Sequence, residues 1–312
     1  MVFLLKILFV RSEKAYLPEV DAYIEYFNKT NDFLAFDSEK INKDYSLCDF
    51  DVIWEFKGLG RAITKDKIVV HEYASLSTGR MPYIKNRIKS LVNGKPDLRV
   101  FLNSEVKDGF HFNDNIDYCY RDMGISDEFI NVQPSNKEFD FVYIGAISKT
   151  RHVDNLLRTF VKNKCGKICL IGTPEDEIYN TYKKYKDIIF TGRVQYSYVP
   201  GIASRSIYGL NYIPNIYPYN LQTSTKLLEY LALGLKVITT EYKWVNNFEI
   251  ENRCSFYKLR NIDEDLDINK ISSFSYINNF NTDNYTWKSI IDKSNIAKKI
   301  KQLYKGQGVY HD

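Results

Sequence analysis

Residues 223–241, "TSTKLLEYLALGLKVITTE", hold the reading on which the fold turns. Thr223 or Ser224 is placed to cap a helix, and Gly234 is placed to end it in the left-handed conformation that glycine adopts without strain. Between them Leu227, Leu228, Tyr230, Leu231, Ala232 and Leu233 surround the axis, which predicts a helix buried on most sides. "LKVITTE" then reads as a β-branched strand. Lys226 and Glu229 are three apart and share one face just inside the N-terminal end. Burying that carboxylate alone costs on the order of several kcal/mol, whereas an exposed i,i+3 ion pair returns only ~0.2–0.5 kcal/mol. A ligand that offers hydroxyls to Glu229 and phosphates to Lys226 and the helix N-terminus fits this spacing better than the pair alone.

Working outward, apolar runs of strand length recur about every 20 to 35 residues. They are "LKILFV", "DFLAF", "DVIWEF", "KIVVHEY" and "LRVFLNS" in the first half, then "FDFVYIGA", "KICLIG", "IIFTG", "YGLNYIP", "LKVITTE" and "CSFYKL". Continuous rather than alternating apolar runs are the mark of parallel strands covered on both faces. The expected class is α/β with two Rossmann-like domains: residues 1–136, residues 137–284, and a C-terminal helix from 285 to 312 that crosses back to the first domain. The polar stretch "NVQPSNKEFD", 131–140, is the expected linker. Ile290, Ile291, Ile296 and Ile300 carry the helical period of the tail.

The totals exclude several classes. At 312 residues, with 44% hydrophobic and 26% charged, the chain suits two folded domains. A net charge of +4 is too small to imply nucleic-acid binding. Five scattered cysteines without a C-x-x-C pair predict a reducing compartment and no zinc site. "MVFLLKILFV" is too short to span a bilayer, so the expected location is cytoplasmic.

In the second half, Gly145 ends a strand, and Ser148, Lys149 and Arg151 stand at the entrance to the next helix. Such an arrangement reads either as a phosphate site or as an ordinary basic loop. Gly192, Arg193 and Val194 lie just past another strand end, where a nucleotide base would rest against backbone or where the chain simply turns. Taken in order, Gly with a basic loop, Gly-Thr-Pro, Thr-Gly-Arg-Val, Tyr-Ile-Pro, the quoted helix and the late "YTW" at 285–287 resemble the donor half of GT-B glycosyltransferases, nearest to glycosyltransferase family 4. The resemblance implies a GT-B fold, in which two Rossmann-like domains face each other across a cleft. It also implies retaining transfer of a hexose from a nucleoside-diphosphate sugar to a bacterial surface glycan or lipid-linked acceptor, without a metal or other cofactor. By the same resemblance Glu229 holds the ribose hydroxyls, while Ser224, Thr225 and Lys226 face the diphosphate. Two family residues are absent: Leu221 stands where a first glutamate often lies, and Ala146 where an arginine follows the glycine. That leaves Lys149 or Arg151 to neutralise the leaving phosphate.

In the first half the resemblance makes His71 the histidine beside the donor sugar, against the ordinary reading of a structural histidine. Glu72 becomes a general base if the transfer inverts. Residues 79–99 carry Arg80, Lys85, Arg87, Lys89, Lys95 and Arg99 against Asp97, with Ile84, Ile88 and Leu91 on one helical face. This is either a helix with its apolar side in the core or one that rests on anionic headgroups, and the expectation is the second. A dinucleotide oxidoreductase fails because residues 1–57 hold no glycine and "GAISKT" lacks the G-x-G-x-x-G spacing. "DFD" at 49–51 precedes a strand and reads as a turn rather than a metal motif. The remaining alternative is a non-catalytic nucleotide-sugar binder or an inactive partner subunit.

Overall fold

The computed structural model describes residues 4–11, 17–41, 45–57, 66–133 and 135–307. The chain forms two compact units: one runs to Gly124 and resumes at Thr286, and the other is Ile125–Tyr285. The stretch 131–140 therefore lies inside the second unit, and its Pro134 is outside the described residues.

The first unit is built on a parallel sheet of β1 (Leu5–Val10), β2 (Phe33–Asp37), β3 (Val52–Phe56), β4 (Ile68–Tyr73), β5 (Leu98–Phe101) and β6 (Tyr118–Tyr120), in spatial order β2-β1-β3-β4-β5-β6. The short β6 has no apolar run to announce it: "YCY" alternates exposed, buried, exposed. One face packs Ile7, Phe9, Val52, Trp54 and Val70 under the helix Pro18–Asn28 and under Ile291, Ile296 and Ile300 of the tail. That tail is two helices, Trp287–Ser294 and Ile296–Gln307, rather than the single one expected. Asn295 breaks it with a left-handed φ of 56°, and Thr286 caps its start by accepting from the Ser289 amide.

The second unit repeats the scheme with β7 (Phe139–Ile144), β8 (Ile168–Ile171), β9 (Ile188–Gly192), β10 (Ser206–Asn211), β11 (Lys236–Thr240) and β12 (Tyr257–Leu259), ordered β12-β11-β10-β7-β8-β9 and parallel throughout. Strand order reverses between β7 and β10. In open α/β sheets the crevice beyond the carboxyl ends at such a reversal is where ligands bind.

The helix that opened the sequence reading, Thr225–Ala232, is fixed at this reversal. Ser224 is its cap, and Gly234 (φ 68°) ends it through Gly234 N to Leu231 O at 3.0 Å and Leu235 N to Tyr230 O at 2.9 Å. Tyr230 docks it. The ring lies where Gly209 of β10 has no side chain to obstruct it, and its hydroxyl accepts from the Ile144 amide at the end of β7, 2.9 Å away. One residue thus ties the helix to both strands that flank the reversal.

Candidate functional site: the carboxyl edge of the second sheet

Ser224 is held from below. Its hydroxyl donates to Asn211 Oδ1 at 2.7 Å, and Asn211 in turn donates to Thr239 Oγ1 and Tyr242 Oη at 2.8 and 3.0 Å. This buried network satisfies its polar groups and sets the start of the helix rigidly. Two residues on, Lys226 places its ammonium 4.4 Å above the Tyr143 ring and 3.5 Å from the Tyr212 carbonyl oxygen. Arg151 stands over the Tyr219 ring at 4.4 Å and is close enough to act electrostatically on Lys226.

Burial first, and the Arg151 cation second, push the Lys226 pKa down to about 7, with Glu229 opposing. Glu229 is 4% exposed, and burial pushes its carboxyl up to about 7 against the lowering effects of Tyr196 and Lys226. Tyr196 Oη donates to its Oε1 at 2.6 Å. The carboxylate therefore has one protein donor, which the sequence reading did not foresee. Among the described residues no other hydrogen bond reaches it. Lys226 and Glu229 form no ion pair with each other, so the i,i+3 pairing leaves both charges poorly compensated at the same edge.

Close backbone packing shapes the rest of this edge. Gly145, Gly172 and Gly192 end β7, β8 and β9 with φ of 129°, 149° and 69°. Gly145 N donates to Ile171 O at 3.0 Å and Gly172 N to Gly192 O at 3.1 Å. A Cβ on Gly172 would collide with the Gly145 carbonyl oxygen, while the space above Gly145 and Gly192 is open. Ser148 caps a single 3-10 turn, Lys149–Arg151, before the helix Val153–Asn163 begins.

The site residues expected from the sequence divide into three groups. Gly145, Arg151, Ser224, Thr225, Lys226 and Glu229 lie together at the reversal. Ser148 and Lys149 share the loop, but the Lys149 ammonium pairs with Glu177 at 2.6 Å and its amide bonds Glu175 at 3.1 Å. Arg193 is exposed and Val194 partly so, one and two residues beyond β9. His71 and Glu72 belong to the other unit and are 0% and 1% exposed.

Those two residues occupy opposite faces of β4 because side chains alternate along a strand. Glu72 accepts from Arg121, and its second oxygen accepts from Trp54 Nε1 at 2.9 Å; Arg121 also contacts Glu19 at 3.5 Å and Tyr23 Oη at 3.1 Å. This is a buried ion pair with no oxygen offered to an outside hydroxyl, so the general-base role expected of Glu72 finds no support in its placement. Burial, foremost, raises its pKa. His71 Nε2 lies 2.9 Å from Glu55 Oε2, which also meets Lys57 at 3.0 Å. Burial, foremost, lowers the His71 pKa, against the raising effect of Glu55. The sequence reading missed Tyr143, Tyr196 and Tyr219; of these Tyr196 lies only two residues past Val194.

The basic segment of the first unit forms the helix Pro82–Val92, of which only Asn86 is buried. Ile84, Ile88 and Leu91 are 50%, 47% and 69% exposed, so the apolar stripe faces outward. Among the described residues no helix is long and apolar enough to cross a membrane.

Solved structures resemble the chain over nearly its whole length. AviGT4, described as a glycosyltransferase involved in avilamycin A biosynthesis, superposes with a TM-score of 0.60 at 12% identity, covering 97% of this chain and 98% of that one. HepE of Anabaena, solved in complex with UDP-glucose, gives 0.58 at 10% identity, covering 97% and 99%. The UDP-N-acetylglucosamine 2-epimerase of Rickettsia bellii gives 0.56 at 10% identity, covering 96% and 98%. No family model and no curated protein matches the sequence. The fold is GT-B, with two Rossmann-like domains.

Proposed function

We propose that the protein is a glycosyltransferase that takes a sugar, a hexose by preference, from a nucleoside-diphosphate donor held at the carboxyl edge of the second sheet. The observation that carries this is the pair Lys226 and Glu229: a half-buried ammonium and a buried carboxyl, not paired with each other, over the strand reversal of a GT-B fold. Glu229 would accept the ribose hydroxyls as Tyr196 yields or shares its bond. Lys226, Arg151 and the Ser224 end of the helix would face the diphosphate, whose growing negative charge in the transition state they stabilise. The open space above Gly145 lets phosphate oxygens approach the backbone.

The acceptor is proposed to be a bacterial surface glycan or its lipid-linked precursor. Support comes from the outward apolar stripe Ile84, Ile88 and Leu91, with Lys85 and Lys89 on one flank and Arg87 on the other. A helix of this kind lies in the interface of an anionic bilayer.

Thermal-shift titration with UDP and a panel of nucleotide-sugars, followed by an assay of nucleoside-diphosphate release, tests the donor site. The expected result is a rise in melting temperature that Glu229→Ala abolishes, with slow turnover of one donor. No shift with any nucleotide would refute the reading. Tight binding without turnover would leave a non-catalytic binder. Because an epimerase shares the fold, proton NMR of the donor after incubation separates C2 inversion from transfer.

A further inference from the structure

The loop after β4 and the helix Pro82–Val92 border an open cavity of about 510 Å³ within the first unit. Ser75, Ser77, Thr78, Lys85 and Lys89 supply its polar lining, with Ile88 on the wall. Ser77 is 8% exposed; its amide donates to Asn86 Oδ1 at 2.8 Å, but its hydroxyl has no hydrogen-bond partner among the described residues. A buried hydroxyl left unbonded costs stability on the order of 1–3 kcal/mol, which a ligand oxygen would recover. Lys85 Nζ donates to the Thr78 carbonyl at 3.1 Å, and Lys89 is one helical turn further along. Among the described residues neither ammonium is paired with a carboxylate. Burial and the neighbouring Lys85 charge lower the Lys89 pKa, as expected of two like charges with no anion between them.

Two ammonium groups and three hydroxyls, without an acid among the lining residues, form a donor-rich site. An uncharged sugar would leave the cations unneutralised. A tetrahedral oxyanion satisfies both the ammonium groups and the Ser77 hydroxyl, and the cavity is larger than one phosphate, leaving room for what the phosphate is attached to. It also sits beyond the carboxyl end of β4, the side of a parallel sheet on which ligands are bound.

We propose that this cavity binds a phosphoryl group carried by the acceptor, with Lys85 and Lys89 as its cations and the Ser77 hydroxyl as a donor. The assignment rests on the transferase reading above and uses Lys85 and Lys89 of the proposed acceptor helix, and none of the donor-edge residues of the second unit.

Isothermal titration of the full chain with inorganic pyrophosphate, in the presence of saturating UDP to occupy the donor edge, tests it. One site is expected, weakened at least tenfold by Lys85→Gln combined with Lys89→Gln and severalfold by Ser77→Ala. Lys85 is exposed, Lys89 half-buried and Ser77 small, and an unchanged UDP affinity verifies that the variants are folded. Absence of pyrophosphate binding, or binding indifferent to all three changes, overturns the proposal. Monomeric dihexanoyl phosphatidic acid distinguishes the source: tighter binding than pyrophosphate identifies a lipid-borne phosphate, and weaker binding a soluble phosphorylated acceptor. Should UDP itself fail to bind while pyrophosphate binds through Lys85 and Lys89, the donor reading fails and the cavity assignment stands.

Discussion

Tyr196 donates a 2.6 Å hydrogen bond to Oε1 of Glu229, yet burial still holds that carboxyl at about 7. One neutral donor does not replace the water that the anion has lost. The carboxylate is therefore a group maintained at the expense of the free protein's stability.

Glu229→Gln should consequently stabilise the free protein while weakening nucleotide binding. A carboxyl raised from 4.5 in the unfolded chain to about 7 when folded contributes fully below pH 4.5, and the contribution is lost as pH rises through 7. At pH 8 the loss amounts to about 3 kcal/mol. Urea unfolding at pH 8 should show the variant more stable by an amount of that order, and at pH 4.5 the difference should vanish. A variant less stable at pH 8 would contradict the account.

UDP affinity should trace a bell against pH with its maximum near 7. On the acid limb Glu229 takes up a proton and no longer accepts two hydroxyl hydrogens; on the alkaline limb Lys226 loses the charge that faces the phosphates. Each limb should fall by up to about tenfold per pH unit in calorimetric titrations. Lys226→Ala should flatten the alkaline limb alone.

Glu72 and Arg121 make a contrasting pair, since both are enclosed in the first unit and satisfy each other. Arg121→Met leaves Glu72 and Glu19 buried without a cation and should cost about 3–5 kcal/mol in chemical denaturation. Glu72→Gln should lower stability less and leave donor hydrolysis within about twofold, since a carboxylate whose oxygens are both taken by Arg121 and Trp54 is not a proton acceptor for a substrate. A hundredfold loss of turnover with intact fold would restore the general-base role.

Gly172→Ala places a methyl group against the Gly145 carbonyl oxygen at a φ of 149°. Backbone cannot move aside as a side chain can. Loss of about 2–4 kcal/mol, seen as a lower melting temperature, is expected.

Ile84→Asp combined with Leu91→Asp should reduce sedimentation with anionic vesicles by about tenfold or more without lowering the melting temperature, because both side chains are exposed. Raising the salt concentration should weaken the wild-type association.

Much of the fold is legible in short apolar runs, since strands covered on both faces leave no room for polar alternation. β6 was hidden because three residues with two exposed tyrosines carry no such signature. The break at Asn295 was hidden too, for Ile290, Ile291, Ile296 and Ile300 face one core across a left-handed residue. At the candidate site, Lys226 and Glu229 stood out because charge inside an apolar helix is anomalous. Tyr196 did not, since a tyrosine in a tyrosine-rich chain is ordinary until its hydroxyl is seen to meet a carboxylate.

The α/β class, the capped helix with its two anomalous charges and the glycines at strand ends are all readable from the residue order, because they follow from periodicity and local backbone preference. The folded arrangement alone reveals that Glu72 is taken by Arg121, that Lys149 turns to Glu177, and that the stripe Ile84, Ile88 and Leu91 faces outward. Each depends on partners distant along the chain, and the energy of a charge or an apolar face is set by what surrounds it in space.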